Sequence, residues 1–356
     1  MKVNRICLNN FRNFKSISLD FKDNINILQG KNAKGKTNIL EAIFIALTSV
    51  SFRNAKANEW IKFNEPFLRC DVFVQEKNFE NKISYSYEFD KKKVFKIDDI
   101  KLKSLNELYD FSNVLVFFSD EIKIITESSL FRRNFIDSFI VKMVKGYKQN
   151  LILYRNVIFR RNLLLKGMNI SSYYKEEMNA LTKKAAVLCF EISRQRKIMI
   201  DLINEQLKDI HKELTKESLY IEYESIVSSF SKSKEEILKE ILENFFKTYK
   251  LDTENKITNF GIHKENFKFI LNDKDAKLFS SQGQKRNIII SVKMAQKNIF
   301  EKEKFVKPII LLDDLFNELD EKRIDSILDY LNDNQIFITM TDMFNIDRKN
   351  VNIINI

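Results

Sequence analysis

Glycine and proline are scarce in this 356-residue chain, with 6 and 2 copies. That scarcity excludes long stretches of Gly- or Pro-rich linker, and most of the chain is expected to be regular structure. Cysteine occurs three times, at Cys7, Cys70 and Cys189, widely separated and odd in number. Neither a disulfide framework nor a metal knuckle has that spacing, so buried thiols in a reducing cytosol are expected. The two histidines, His211 and His263, leave little for a His-based metal site. No apolar run approaches the length of a membrane span, and the polar N-terminus MKVNRICLNNF lacks the apolar stretch of a signal peptide. A soluble cytoplasmic protein with no membrane partner is the expectation.

What is present is core material and charge. Hydrophobic residues make up 44% of the chain, including 31 Phe, and charged residues of both signs 31%. The length suits one large domain plus an inserted one. The net charge of +11 is concentrated: residues 131–200 hold 15 Lys/Arg against 4 Asp/Glu, and the remainder balances. A concentrated basic segment points to a polyanion, with nucleic acid ahead of a membrane surface.

Residues 1–30 read as two short strands, the second, Ile25–Leu28, running into Gly30. A helix is expected from about Lys36, with Ile39, Leu40, Ile43 and Leu47 at helical spacing. Residues 68–100 alternate as antiparallel strands do, and Val114–Phe118 reads as a buried strand. From about 129 the chain is rich in Leu, Ile, Lys, Glu and Arg and reads as helical. Strand signals return after 256, and Pro308–Leu312 is another buried strand. The expected organisation is α/β: a head of mixed parallel and antiparallel strands made from 1–128 and 251–356, with a helical insertion at 129–250.

Three motifs carry chemistry. Gly30-Lys31-Asn32-Ala33-Lys34-Gly35-Lys36-Thr37 fits the phosphate loop G-x4-G-K-[ST], in which backbone amides and the following helix N-terminus cradle phosphates. Gly35 lets the backbone pass close to them, Lys36 reaches the β and γ phosphates, and Thr37 offers a hydroxyl to Mg²⁺. Asn38 continues the loop into its helix. Ile309-Ile310-Leu311-Leu312-Asp313-Asp314 ends a buried strand in two carboxylates, Asp313 for Mg²⁺ and Asp314 to orient or deprotonate the attacking water. Ser280-Ser281-Gln282-Gly283-Gln284-Lys285-Arg286 resembles the signature of ABC-type ATPases. There Ser281, Gly283 and Gln284 would bind the γ-phosphate held by another copy, Ser281 capping the helix whose exposed amides form an anion site. Together the three motifs indicate an ABC-type ATPase head binding ATP and Mg²⁺.

The resemblance then narrows to the RecF family and spans nearly the whole chain. It is carried by Leu8-Asn9-Asn10-Phe11-Arg12-Asn13-Phe14, by Thr37 through Ile43, and by Ser51-Phe52-Arg53. Phe131 through Asp137, Tyr154-Arg155 and Arg161 through Leu164 continue it, as does Gly261-Ile262-His263-Lys264-Glu265. It closes with Leu312 through Asp320, where the Mg²⁺ strand meets a loop similar to the family's dimer contact. The chain departs from the family pattern at Ser119-Asp120-Glu121, at Ile262, and at Ala33, where many relatives have Gly. Thr341 stands where transporter-type relatives carry a His after the core strand; it can donate a hydrogen bond but cannot carry charge, so slow, switch-like hydrolysis is expected. The resemblance implies an ATPase that dimerises on ATP, binds double-stranded and gapped DNA or stalled forks, and works with RecR and RecO to load RecA. Arg132, Arg133, Arg160, Arg161, Lys183 and Lys184 are the expected phosphate contacts, chosen by local charge density. A long-armed tether would need sustained heptads, a nuclease a further acidic metal cluster, and a transporter subunit the missing His.

Overall fold

In the computed structural model, residues 1–76, 79–111, 113–167, 173–316, 321–341 and 351–356 are described. The chain divides into two compact units, Met1–Asp120 with Phe300–Ile356, and Glu121–Ile299.

The first unit supplies β1 (Lys2–Phe11), β2 (Phe14–Asp20), β3 (Ile25–Gln29), β4 (Phe67–Glu76), β5 (Phe79–Glu88), β6 (Val94–Ile97), β7 (Ile100–Lys101) and β8 (Val114–Phe118). The second unit adds β9 (Leu219–Glu224), β10 (Asn266–Leu271) and β11 (Lys274–Asp275). The chain then returns to the first with β12 (Ile309–Asp313), β13 (Ile336–Met340) and β14 (Val351–Asn355). The opening thirty residues thus form three strands rather than two. The tight turn at Arg12, in the left-handed region at φ 53°, divides the stretch before β3 into two strands.

Two sheets build the first unit. One is antiparallel in the order β2-β1-β4-β5-β6-β7; the other runs β14-β3-β13-β12-β8, every pair parallel. The parallel strands are apolar almost throughout because both faces are covered: β12 and β13 are buried at every position. The helix Lys36–Thr48 packs against strands of both sheets and is buried over ten residues, from Ile39 through Leu47 with Lys36. A helix apolar on all sides belongs inside, and this one stiffens the base of the loop that precedes it.

The second unit is helical around a small sheet, in the order β11-β10-β9. Its helices include Ser129–Met143, Tyr147–Leu165 and the 42-residue Tyr174–Thr215. This revises the expected boundaries of 129–250 and 251–356. The strand signals after 256 belong to β10, which pairs antiparallel with β9 along Leu271↔Leu219 to Asn266↔Glu224, and not to the first unit. Among the described residues no helix is long and apolar enough to cross a membrane.

Candidate nucleotide-binding site

Parallel strands end on the same side, and in such sheets ligands bind beyond the carboxyl ends. Here β3 leads to Gly30, the adjacent β13 to Thr341, and the next strand, β12, ends in Asp313. The sheet order therefore gathers residues from opposite ends of the sequence. Thr37 Oγ1 donates to Asp313 Oδ1 at 2.8 Å across 276 positions.

The phosphate loop is held by close backbone approaches. A Cβ on Gly30 would lie 2.7 Å from the carbonyl oxygen of Ile356, the residue after β14. Gly35 has φ +106°, and a Cβ there would lie 2.6 Å from Asn13 and Phe14. Both positions accept no side chain without displacing a neighbour. Ala33 sits at φ 65°, in the left-handed region that favours glycine. Lys31, Asn32, Ala33 and Lys34 are exposed. The buried Lys36 donates from Nζ to Gly30 O at 2.7 Å and Lys31 O at 3.0 Å, so its ammonium lies against the loop.

Asp313 is the polarised element of the site. Burial pushes its carboxyl up to about 6; the hydrogen bonds from Thr37 and Thr339 act in the other direction and the nearby Asp314 charge adds to the rise. Among the described residues Asp313 has no ion pair within 4 Å, and Arg53 acts on it only from a distance, so its charge is only partly compensated. Mg²⁺ held through one or two carboxylates together with substrate phosphates fits that deficit. The described residues hold no cluster of three or more His, Cys, Asp or Glu suited to a metal.

Thr339, on β13, was not singled out by sequence. It donates to Asp313 Oδ1 at 3.0 Å and accepts from the Asp314 amide at 2.9 Å, fixing the turn in which Asp314 takes φ 53°. Its only signal was its place in a strand that abuts the acidic one. Thr341 lies one residue beyond β13 and is half-buried; Asn317 through Asp320, the expected dimer-contact loop, lie outside the described residues.

The motifs around Arg12 and Ser51 converge on Glu41, a wholly buried carboxylate on the loop's helix. Arg12 grips it with two bonds, 3.0 and 2.8 Å, Ser51 Oγ donates at 2.5 Å, and Arg53 stands 3.7 Å away. Arg53 also donates to Asn38 Oδ1, Asn38 to Asn13, and Asn13 to Lys34 O at 3.2, 2.8 and 2.9 Å. The chain of bonds ties the β1–β2 turn and residue 53 to the phosphate loop.

The signature residues lie in the second unit. Ser281 Oγ accepts from Gln284 N at 3.2 Å and Gln284 Oε1 accepts from Ser281 N at 2.9 Å, a reciprocal cap on the helix Gln282–Lys304. Gln284 Nε2 donates to Glu217 at 2.8 Å. Ser281 and Gly283 are exposed, with open space where a Gly283 Cβ would point.

The six basic candidates separate sharply. Arg160, Lys183 and Lys184 are exposed. Arg161 is 0% exposed, paired to Asp252 at 2.8 Å and bonded to Thr258 at 2.7 Å, so no guanidinium is left for DNA. Arg132 is buried, donating to Asn266 and Glu127 O, both at 2.9 Å. Arg133 is half-buried and donates to Ser129 and to Glu265 O at 2.8 and 2.7 Å. Desolvation lowers the pKa of both. Charge density ignored helical phase: Tyr154, Val157, Arg161 and Leu164 form one buried stripe at spacings of three and four.

The profile described as RecF/RecN/SMC N terminal domain matches residues 2–354. The DNA replication and repair protein RecF of Clostridium acetobutylicum is 34% identical over 355 residues, covering 98% of this chain and 95% of that protein. RecF of Thermoanaerobacter sp. (strain X514) is 33% identical over 342 residues, covering 96% and 94%. Among solved structures, the recombination mediator protein RecF-ATP in the RecFOR pathway superposes with TM-score 0.90 at 31% identity, over 98% of this chain and 94% of that one. An Smc head bound to the C-terminal winged-helix domain of ScpA shares the fold alone, at TM-score 0.56 and 13% identity over 96% and 90%.

Proposed function

Given that the chain belongs to the RecF family of DNA replication and repair proteins, we propose that it is an ATP-dependent DNA-binding recombination mediator. It dimerises on ATP, acts at gapped or stalled-fork DNA, and helps RecO and RecR load RecA in the cytoplasm. The observation that carries the nucleotide half of this reading is the 2.8 Å bond between Thr37 and Asp313.

The chain's own residues do the following. The amides of Lys31 through Gly35 cradle the phosphates, and Lys36 leaves the loop carbonyls to place its ammonium on the β and γ oxygens. Thr37 and Asp313 would hold Mg²⁺, which when bound neutralises charge developing on the phosphates. Asp314, held by the Thr339 bond to its amide, orients the attacking water. Ser281, Gly283 and Gln284 reach the γ-phosphate of a second copy. Thr341 offers a hydrogen bond without a charge, which gives slow hydrolysis suited to a switch. Arg160, Lys183 and Lys184 supply sequence-independent contacts to duplex phosphates.

Sedimentation velocity on the full chain tests the assembly. Mg·ATP is expected to convert monomer to dimer, Asp314→Asn to prolong the dimer, and Lys36→Ala to abolish it. A monomer that ignores Mg·ATP in all three would overturn the proposal.

A further inference from the structure

Outside the nucleotide site, the far edge of the antiparallel sheet carries an uneven charge. Residues 91–103 hold six lysines and two aspartates, a local excess masked by the neutral total of the chain outside 131–200. Both aspartates are engaged by Lys82: Asp98 accepts from its amide at 2.8 Å and Asp99 from its ammonium at 3.1 Å. Lys91 pairs with Glu88 at 2.6 Å, an exposed i,i+3 pair that is readily exchanged, and Lys93 stands 4.2 Å over the Trp60 ring. Lys92, Lys96, Lys101 and Lys103 have no carboxylate partner among the described residues. Moreover, Lys96 and Lys101 face each other directly across β6 and β7.

Lysines on a sheet edge are commonly there to prevent pairing with another chain. That role asks for scattered charge, whereas like charges directly opposite each other weaken the sheet that bears them. A bound polyanion would remove the cost. Next to this edge lies a cleft of about 270 Å³ whose lining includes Phe67, Ser86, Tyr87, Lys91 and Lys92, with Glu88, the cross-strand partner of Phe67, already paired to Lys91. Its volume is just below the ~300–1,000 Å³ of sites for drug-sized ligands, a size that suits one flat ring. Phe67 is 44% exposed and Phe89, whose amide donates to Pro66 O at 3.1 Å, is 57% exposed. Aromatic faces interleaved with lysines are the chemistry of single-strand binding, in which bases stack and the backbone meets cations.

We propose that the β6–β7 edge and the adjoining cleft bind single-stranded nucleic acid, one base stacking on Phe67 while flanking phosphates take Lys91, Lys92, Lys96 and Lys101. The site lies in the first unit, and the proposed duplex contacts lie in the second. It deepens the DNA-handling reading and rests on it for its setting, since a gap presents both a duplex and a single strand.

Fluorescence anisotropy of a labelled oligothymidylate and of a blunt duplex, titrated with the full chain, tests it. Phe67→Ala should weaken oligothymidylate binding roughly tenfold. Lys92→Gln with Lys96→Gln and Lys101→Gln should lower the slope of log affinity against log salt by about 2. Both variants should leave duplex binding unchanged. Phe67→Leu keeps apolar volume without an aromatic face and should show the same loss as Phe67→Ala, which keeps the test decisive should the alanine variant fold poorly. Unchanged oligothymidylate binding in the leucine and triple-lysine variants would overturn the proposal. So would equal loss of both ligands, or a triple variant that binds normally but self-associates, which would return the lysines to edge protection. A parallel Lys183→Glu, Lys184→Glu variant reads the duplex surface alone, so failure of the broader function is seen separately.

Discussion

The two units bury charge in opposite ways. In the second, the two most deeply buried arginines each meet a carboxylate: Arg161 with Asp252 at 2.8 Å, and Arg196 with both Asp137 and Glu265 at 2.7 and 2.6 Å. Glu265 further accepts from Ser193 and Tyr223, at 2.6 and 2.7 Å. In the first, Asp313 is buried with two threonine hydroxyls as its donors. A compensated buried charge is architecture, since removing one partner strands the other. A buried carboxylate with no ion pair among the described residues, such as Asp313, is instead a candidate position for a bound cation. Glu41, gripped by Arg12, shows that the first unit can also compensate a carboxylate when the role is support.

That contrast is best broken by mutation, and the effects fall in order. Lys36→Ala is expected to reduce ATP hydrolysis by more than 100-fold, an effect on the scale of losing one preorganised charge-stabilising group, with thermal stability nearly unchanged; steady-state phosphate release checks it. Arg161→Ala should destabilise the second unit by about 3–5 kcal/mol, because Asp252 is left buried and unpaired. Urea unfolding measures this, and an effect below about 1 kcal/mol would mean that the pair is not architectural. Asp313→Asn, by comparison, should leave stability equal or higher while abolishing Mg²⁺-dependent nucleotide binding.

Acid should act on the second unit. Burial lowers His211 to about 4 and lowers His263 as well, while an unfolded histidine titrates near ~6.5. The unfolded state therefore binds more protons between those values. Stability should be full above pH 6.5 and fall as pH drops toward 4. His211→Gln should flatten that slope in pH-dependent thermal melts; an unchanged slope would remove His211 as its source. The smallest effect is expected at Ala33. Its left-handed backbone costs roughly 1–2 kcal/mol, but the freedom Gly gains on unfolding offsets roughly 0.5–1 of that. Ala33→Gly should therefore raise the melting temperature by no more than a few degrees.

Much of the site was legible because its residues are local in sequence: the phosphate loop, the acidic strand end and the signature each lie within eight positions. What escaped was non-local. Thr339 acts through a neighbouring strand, and Glu41 gathers Arg12, Ser51 and Arg53 from two other segments. The boundary at 251 failed because a strand signal does not say which sheet it joins, and β10 joins β9. Arg132 and Arg161 were misplaced because charge density carries no phase, although the apolar spacing around Arg161 did.

The central claim is that nucleotide at the Lys36–Thr37–Asp313 site controls the grip on DNA. Fluorescence anisotropy on gapped duplex, with and without Mg·ATP, tests it most directly when wild type is set against Lys36→Ala. The account predicts tighter binding with Mg·ATP in wild type and no such tightening in the variant. Binding that is indifferent to both ATP and Lys36 would contradict it and leave the basic surface acting alone.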